Sequence, residues 1–207
     1  MSIPSNDSLL REVADYYAGK LEAHGATSRG VDWSTEEGQH LRFEQLCRVL
    51  PDAPCSLHDI GCGYGALSTF LSQRCSGVAY HGWDISEAMI EAARKEASAG
   101  AHFHVGGTPI EPADYCVASG IFNVRLSRSD EEWTAYMTST LEMMDGASLK
   151  GFAFNCLTSY SDEDRKRPDL YYADPAYWFD LCKRRYSRNV ALLHDYDLYE
   201  FTILVRK

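Results

Sequence analysis

Apolar positions fall into two rhythms along the chain. Leu9, Leu10, Val13, Tyr16, Tyr17 and Leu21 recur at helical spacing, which predicts an amphipathic helix over residues 7–23, opened by the Ser5-Asn6-Asp7 cluster and ended by Gly25. The Ser34-Thr35-Glu36-Glu37 stretch reads as a capping box for a second helix that turns Leu41, Leu46, Val49 and Leu50 inward until Pro51. Beyond residue 55 short strand-like runs alternate with helices. Strands are predicted up to Ile60, over 78–84, 101–105, 115–119 and 148–155. Ser86 caps a helix that buries Met89, Ile90 and Ala93, and the Ser129-Asp130-Glu131-Glu132 box opens one that buries Trp133, Tyr136, Met137, Leu141 and Met144. Strand–helix alternation makes a parallel sheet covered on both faces. The end breaks this order. A helix near 174–184 is followed by residues 189–194, a turn at Asp195-Tyr196-Asp197, and residues 198–205, a predicted antiparallel hairpin.

The chemistry concentrates where the first strand ends. Asp59-Ile60-Gly61-Cys62-Gly63-Tyr64-Gly65 is a strand running into a glycine turn and then a helix predicted to begin near Tyr64. Glycines there let backbone approach a ligand, and a helix start offers free N–H groups. Asp84 closes the next strand, where a carboxylate would accept the two hydroxyls of a ribose.

These residues resemble the first two motifs of the class I S-adenosylmethionine-dependent methyltransferases. A nicotinamide dehydrogenase also needs a glycine corner and an acidic strand end. The Gly61-x-Gly63-x-Gly65 spacing, the preceding Asp59 and a chain too short for a separate substrate domain favour methyl transfer. The resemblance implies an α/β fold: a three-layer, doubly wound, seven-stranded sheet in the order 3-2-1-4-5-7-6. Residues 1–54 would form an N-terminal helical extension acting as a lid, and residues 55–207 the Rossmann-like domain. It also implies S-adenosylmethionine as cofactor, held by Tyr16, Asp59, Gly61, Cys62, Gly63, Asp84, Ile85, Met89, Gly106, Gly107, Ser119 and Gly120. Gly106-Gly107-Thr108 falls where the adenine should lie, without the carboxylate often found there in the family. Arg42, on the second helix, is a candidate partner for the cofactor's carboxylate.

Ligands of open α/β sheets bind outside the carboxyl ends of the strands. Asn123 and Asn155, after and at the end of the fourth and fifth strands, are therefore candidates for the acceptor pocket, with Trp33 from the proposed lid. The loop from Leu157 to Pro175 is long and rich in tyrosine, so Tyr171 and Tyr172 could wall the same pocket. Transfer from a sulfonium needs alignment and, for a hydroxyl acceptor, a base. His24 and His194 are weak candidates. Cys62 and Cys156 are read as core residues, since no covalent intermediate is required.

Composition narrows the acceptor. The 207 residues carry a formal charge of −10, which speaks against a polyanionic nucleic-acid partner. The family's Asn-Pro-Pro-Tyr and Asp-Pro-Pro-Tyr motifs for exocyclic amines of nucleic acids are also absent. The seven cysteines lack a C-x-x-C pair, so neither zinc nor a disulfide framework is indicated. No signal-peptide core or membrane-length apolar run is read. The expectation is a cytoplasmic enzyme, monomer or homodimer, that methylates a small molecule at a hydroxyl or carboxylate oxygen. The competing class is a module that binds the cofactor without turning it over.

Overall fold

The computed structural model describes residues 6–75, 77–97 and 100–207. Seven strands form one sheet: β1 (Cys55–Ile60), β2 (Val78–Asp84), β3 (His102–Val105), β4 (Ala113–Ala118), β5 (Ser148–Leu157), β6 (Asn189–Leu193) and β7 (Glu200–Arg206). Their order is β3-β2-β1-β4-β5-β7-β6, as expected, with β7 antiparallel to both neighbours and every other pair parallel. The helices are α1 (Asn6–His24), α2 (Glu36–Cys47), α3 (Ala66–Arg74), α4 (Glu87–Lys95), α5 (Asp130–Gly146) and α6 (Pro175–Arg185).

Alternation along the strands divides the core into two layers. Ile60, Trp83, Cys116, Ala118, Phe152, Phe154, Phe201 and Ile203 face α5, α6 and the start of α1. Leu57, Tyr80, Tyr115, Val117, Ala153 and Leu204 face α2, α3 and α4. Trp133 of α5 is fully buried, and its indole N–H donates to the Phe122 carbonyl at 2.8 Å. Residues 106–112, between β3 and β4, form no helix.

The helix caps follow the local sequence signals in one case and depart from them in others. Ser129 and Glu132 form the expected reciprocal box. At α2 the cap is Thr35, which accepts from the Gly38 amide at 3.0 Å, and a glycine at that position cannot return the second hydrogen bond. This helix ends at Cys47, before the expected Pro51 stop, and Phe43 joins Leu46 as a buried contact. α3 starts at Ala66 rather than near Tyr64, because Gly65 sits at the cap with φ of 83°. The side chains of the Ser5-Asn6-Asp7 cluster lie outside the described residues. β7 alternates as expected, yet its polar positions Glu200 and Thr202 are also buried, because α2 covers that face.

Candidate active site

A cavity of about 350 Å³ opens at the carboxyl ends of β1, β2 and β4. Its floor is Gly61, Gly63, Asp84, Ile85, Met89, Gly106, Gly107, Ser119 and Gly120, nine of the residues named from sequence. Gly61 has φ of 70°, and a Cβ there would meet Ile121 Cγ2 at 2.1 Å, so only glycine fits the turn. Asp84 Oδ2 accepts from the Gly63 amide at 2.9 Å and Oδ1 from the Ser86 amide at 2.8 Å. Burial raises its carboxyl, and these two amides pull it partly back. Each oxygen keeps lone-pair capacity for a further donor.

Asp59 lies beneath the glycine turn. Its Oδ2 accepts from the Tyr80 hydroxyl at 2.6 Å, while Oδ1 is buried without a partner, as is Ser119 Oγ. Burial pushes the Asp59 carboxyl up to about 7. Asp59, Cys62 and Ser119 share a small adjoining void with Trp33. Unpaired buried polar atoms are costly and call for a ligand or ordered water. A glycine floor, a carboxylate at the end of β2 and these two orphaned oxygens fit a ligand with hydroxyls and a cationic amine, as S-adenosylmethionine has.

The remaining wall comes from elements outside the sheet. Leu10, Val13, Ala14 and Tyr17 of α1, Val31 and Trp33 of the following loop, and Tyr136, Ser139, Thr140 and Met143 of α5 complete it. Of these, the sequence assigns Trp33 to the pocket and places Tyr17, with Tyr16, on the inward stripe of its helix. The α5 positions were missed because a helical stripe reads the same whether it meets core or cavity.

Other sequence candidates lie elsewhere. The Tyr16 hydroxyl donates to Asp32 at 2.7 Å, next to Lys20 at 2.7 Å from the same carboxylate, tying α1 to the loop. Arg42 pairs with Glu200. Asn123 Oδ1 accepts from the Leu157 amide, and Asn155 bridges the Gly120 amide and Glu200. The Tyr171 hydroxyl lies 3.3 Å from that of Thr134, and the Tyr172 hydroxyl accepts from the Arg167 amide. Their loop is drawn back by bridges Thr158 to Ala173 and Val124 to Leu170. His24 and His194 are exposed and outside the cavity lining.

A histidine ladder backs the cavity wall. His58, His81 and His102 stand in register on β1, β2 and β3, and the His104 ring stacks on Trp83 at 4.3 Å. The Trp83 indole donates to His58 Nδ1 at 3.1 Å, so the ring's proton sits on Nε2, facing the Glu111 carbonyl at 2.9 Å. Among the described residues no group of three or more His, Cys, Asp or Glu is placed to hold a metal ion. Burial lowers His58, and burial plus the neighbouring histidines lowers His81 and His104. The unfolded chain therefore binds more protons. The contribution of His58 is complete above about pH 6.5 and declines below it, approaching ~1.4 kcal/mol per pH unit until the folded value is reached. Asp59, raised in the folded state, works in the opposite direction over the same range. The expected result is that the stability difference between the wild type and His58→Gln shrinks from pH 7.5 to 5.5 in urea titrations. An unchanged difference would contradict the neutral ring.

A family model described as "Methyltransferase domain" matches residues 58–142. The "Putative methyltransferase Rv1506c" of Mycobacterium tuberculosis (strain ATCC 25618 / H37Rv) is 58% identical over 156 residues, spanning 74% of this chain and 94% of that protein. Among solved structures, the magnesium protoporphyrin IX methyltransferase of Synechocystis PCC 6803 with bound SAM superposes with a TM-score of 0.64 at 14% identity, over 94% of this chain and 96% of that one. A SAM-dependent methyltransferase of Leishmania major gives 0.68 at 15% identity, over 100% and 87%. With the fold and the glycine corner described above, these likenesses show that the chain belongs to the S-adenosylmethionine-dependent methyltransferases.

Proposed function

We propose that the enzyme methylates a small, uncharged and largely apolar molecule at a hydroxyl oxygen, in the cytoplasm. The observation that carries this reading is the wall opposite the glycine floor. Leu10, Val13, Ala14, Tyr17, Ile121, Tyr136 and Met143 face the cavity, and among the described residues no Lys, Arg or His lines it. A carboxylate or phosphate entering there would meet no protein cation, and only the cofactor's sulfonium would offset the hydration it loses. Of the two oxygen acceptors weighed from sequence, this favours the hydroxyl.

In this reading Asp84 holds the ribose hydroxyls, the Gly61–Gly63 turn passes beneath the methionine part, and Asp59 and Ser119 face its amine. Gly106 and Gly107 lie along the adenine. When bound, S-adenosylmethionine supplies an already activated methyl group. The protein's task is then alignment and exclusion of water. Among the described residues Asp84 is the one carboxylate in the lining, and it is engaged by two amides. Burial keeps the Tyr17 hydroxyl protonated and raises that of Tyr136 to about 12, so neither serves as a base. The acceptor hydroxyl must therefore be acidic enough to give up its proton to bulk water at the cavity mouth without help from a side chain, which points to a phenol or enol.

Residues 1–54 act in this reading as the extension that closes the site over residues 55–207. The Synechocystis relative's named acceptor, magnesium protoporphyrin IX, is likewise a small molecule rather than a polymer. A panel of phenols, aliphatic alcohols and carboxylic acids, incubated with methyl-labelled cofactor, tests the acceptor class. Label in the phenols is expected, and label confined to the acids would overturn the hydroxyl reading.

A further inference from the structure

The turn after β4 is fixed by side chains drawn from four other parts of the chain. The Gly120 amide donates to Asn155 Oδ1 at 2.8 Å, and Asn155 Nδ2 donates to Glu200 Oε2 at 2.8 Å. Glu200 Oε1 accepts from Arg42 Nε at 2.8 Å and Nη2 at 2.7 Å. The Arg42 guanidinium lies 3.9 Å from the centre of the Trp33 ring. That ring returns to the start, since a Cβ on Gly120 would come within 2.4 Å of Trp33 Cζ2. The path closes on itself, from the β4 turn through β5, β7 and α2 to the loop before α2.

The relay is dry and its orientation is forced. Asn155 is 0% exposed, and the side chains of Glu200 and Arg42 are 0% and 11% exposed. A carboxylate only accepts, so the Asn155 amide must turn its NH2 toward Glu200 and its oxygen toward Gly120. The peptide between Ser119 and Gly120 is planar and trans, so fixing its N–H also fixes the direction of the Ser119 carbonyl at the cavity wall. A buried ion pair is a poor way to add stability, because apolar residues of the same volume often serve as well or better. In some proteins its role is to impose one geometry. Neither Glu200 nor Asn155 lines the cavity, so whatever they do for the site passes through Gly120 and Trp33.

We propose that Arg42, Glu200 and Asn155 are positioning residues that lock the Ser119–Gly120 peptide and the Trp33 indole into one unit, so that floor and roof of the cofactor cavity are set by a single buried carboxylate on β7. The proposal rests on the cofactor lying along the ends of β1, β2 and β4. A displaced Gly120 peptide loosens Trp33, and a displaced Trp33 releases Arg42 from its ring contact. The relay acts on cofactor affinity and loop order rather than on the chemistry itself.

Two variants test it. Glu200→Gln has the shape of the native side chain but offers one acceptor and one donor end, so it cannot accept from both Arg42 and Asn155. The Arg42→Met/Glu200→Met pair removes both charges and fills the volume. Each is measured by thermal melting, by calorimetric titration with S-adenosylhomocysteine, and by acrylamide quenching of tryptophan emission. Quenching is read against a Trp33→Phe control, because Trp83 lines the same cavity while Trp133 and Trp178 are fully buried. The expected result is a melting temperature within a few degrees of wild type for the double variant, with affinity at least tenfold weaker and stronger quenching in both. A stable double variant with native affinity and native quenching would reduce the relay to a structural prop. Failure of both variants to fold would do the same. If the wild type itself does not bind S-adenosylhomocysteine, the cofactor placement fails, and the quenching comparison alone decides whether the relay orders Trp33.

Discussion

Replacing Asp84 with alanine is expected to weaken binding of S-adenosylmethionine by at least tenfold. The cavity presents this carboxylate at the end of β2, with each oxygen already accepting one backbone amide and still able to take a ribose hydroxyl. Two charge-assisted hydrogen bonds at ~1.5–3 kcal/mol each would exceed the ~1.4 kcal/mol that a tenfold change requires. The substitution also frees the Gly63 and Ser86 amides, so the glycine turn itself loosens and the melting temperature should fall as well. Calorimetry on folded protein, with melting as the control for structure, gives the answer. Unchanged affinity would place the ribose elsewhere.

Deleting residues 1–33 should have a comparable effect by a different route. All seven strands lie beyond this segment, so the sheet and both core layers retain their main contacts. What is lost is one wall of the cavity: Leu10, Val13, Ala14 and Tyr17 from α1, Val31 and Trp33 from the loop. The segment is held down by Leu9, which is 6% exposed in the core, and by Asp32, which joins Tyr16, Lys20 and Arg167. A cavity open on that side admits water to the reacting centre and loses apolar contact with both ligands. The truncated protein is expected to fold with some loss of stability, while affinity and turnover collapse. In the intact protein, added cofactor should slow proteolysis within residues 6–33. Equal cleavage with and without cofactor would leave the segment as a cover with no part in closure.

Much of this architecture could be read from the chain because local patterns and fold agree. The alternation of strands and helices, the terminal hairpin and the Ser129 box each carry their own signal, and the glycines of the β1 turn mark the ligand corner. The rest depends on register and distance. Arg42 and Glu200 are 158 positions apart, and no pattern along the chain announces that they meet. Arg42 on an amphipathic helix reads as a partner for the cofactor's carboxylate or as an ordinary exposed arginine, yet a buried carboxylate on β7 holds it. His58, His81 and His102 become a ladder only once β1, β2 and β3 are set side by side. Tyr171 and Tyr172 sit in a loop long enough to reach the site, but backbone bridges pin it to Thr158 after β5 and to Val124 after β4, and neither tyrosine is in the cavity lining. Tyr17 rather than Tyr16 faces the cavity, a difference of one helical position that no single-sequence periodicity resolves.

Transfer of label is the most direct test of the proposal that the enzyme moves a methyl group from S-adenosylmethionine to a small neutral molecule. The wild-type protein is incubated with methyl-deuterated S-adenosylmethionine and a metabolite extract, and the products are resolved by mass spectrometry. The expected result is S-adenosylhomocysteine formed in step with a labelled, uncharged hydroxyl-derived ether, and loss of both in Asp84→Ala. Tight binding of the cofactor with no label leaving it, across extracts and the phenol panel alike, would contradict the account and leave a module that binds the cofactor without turning it over.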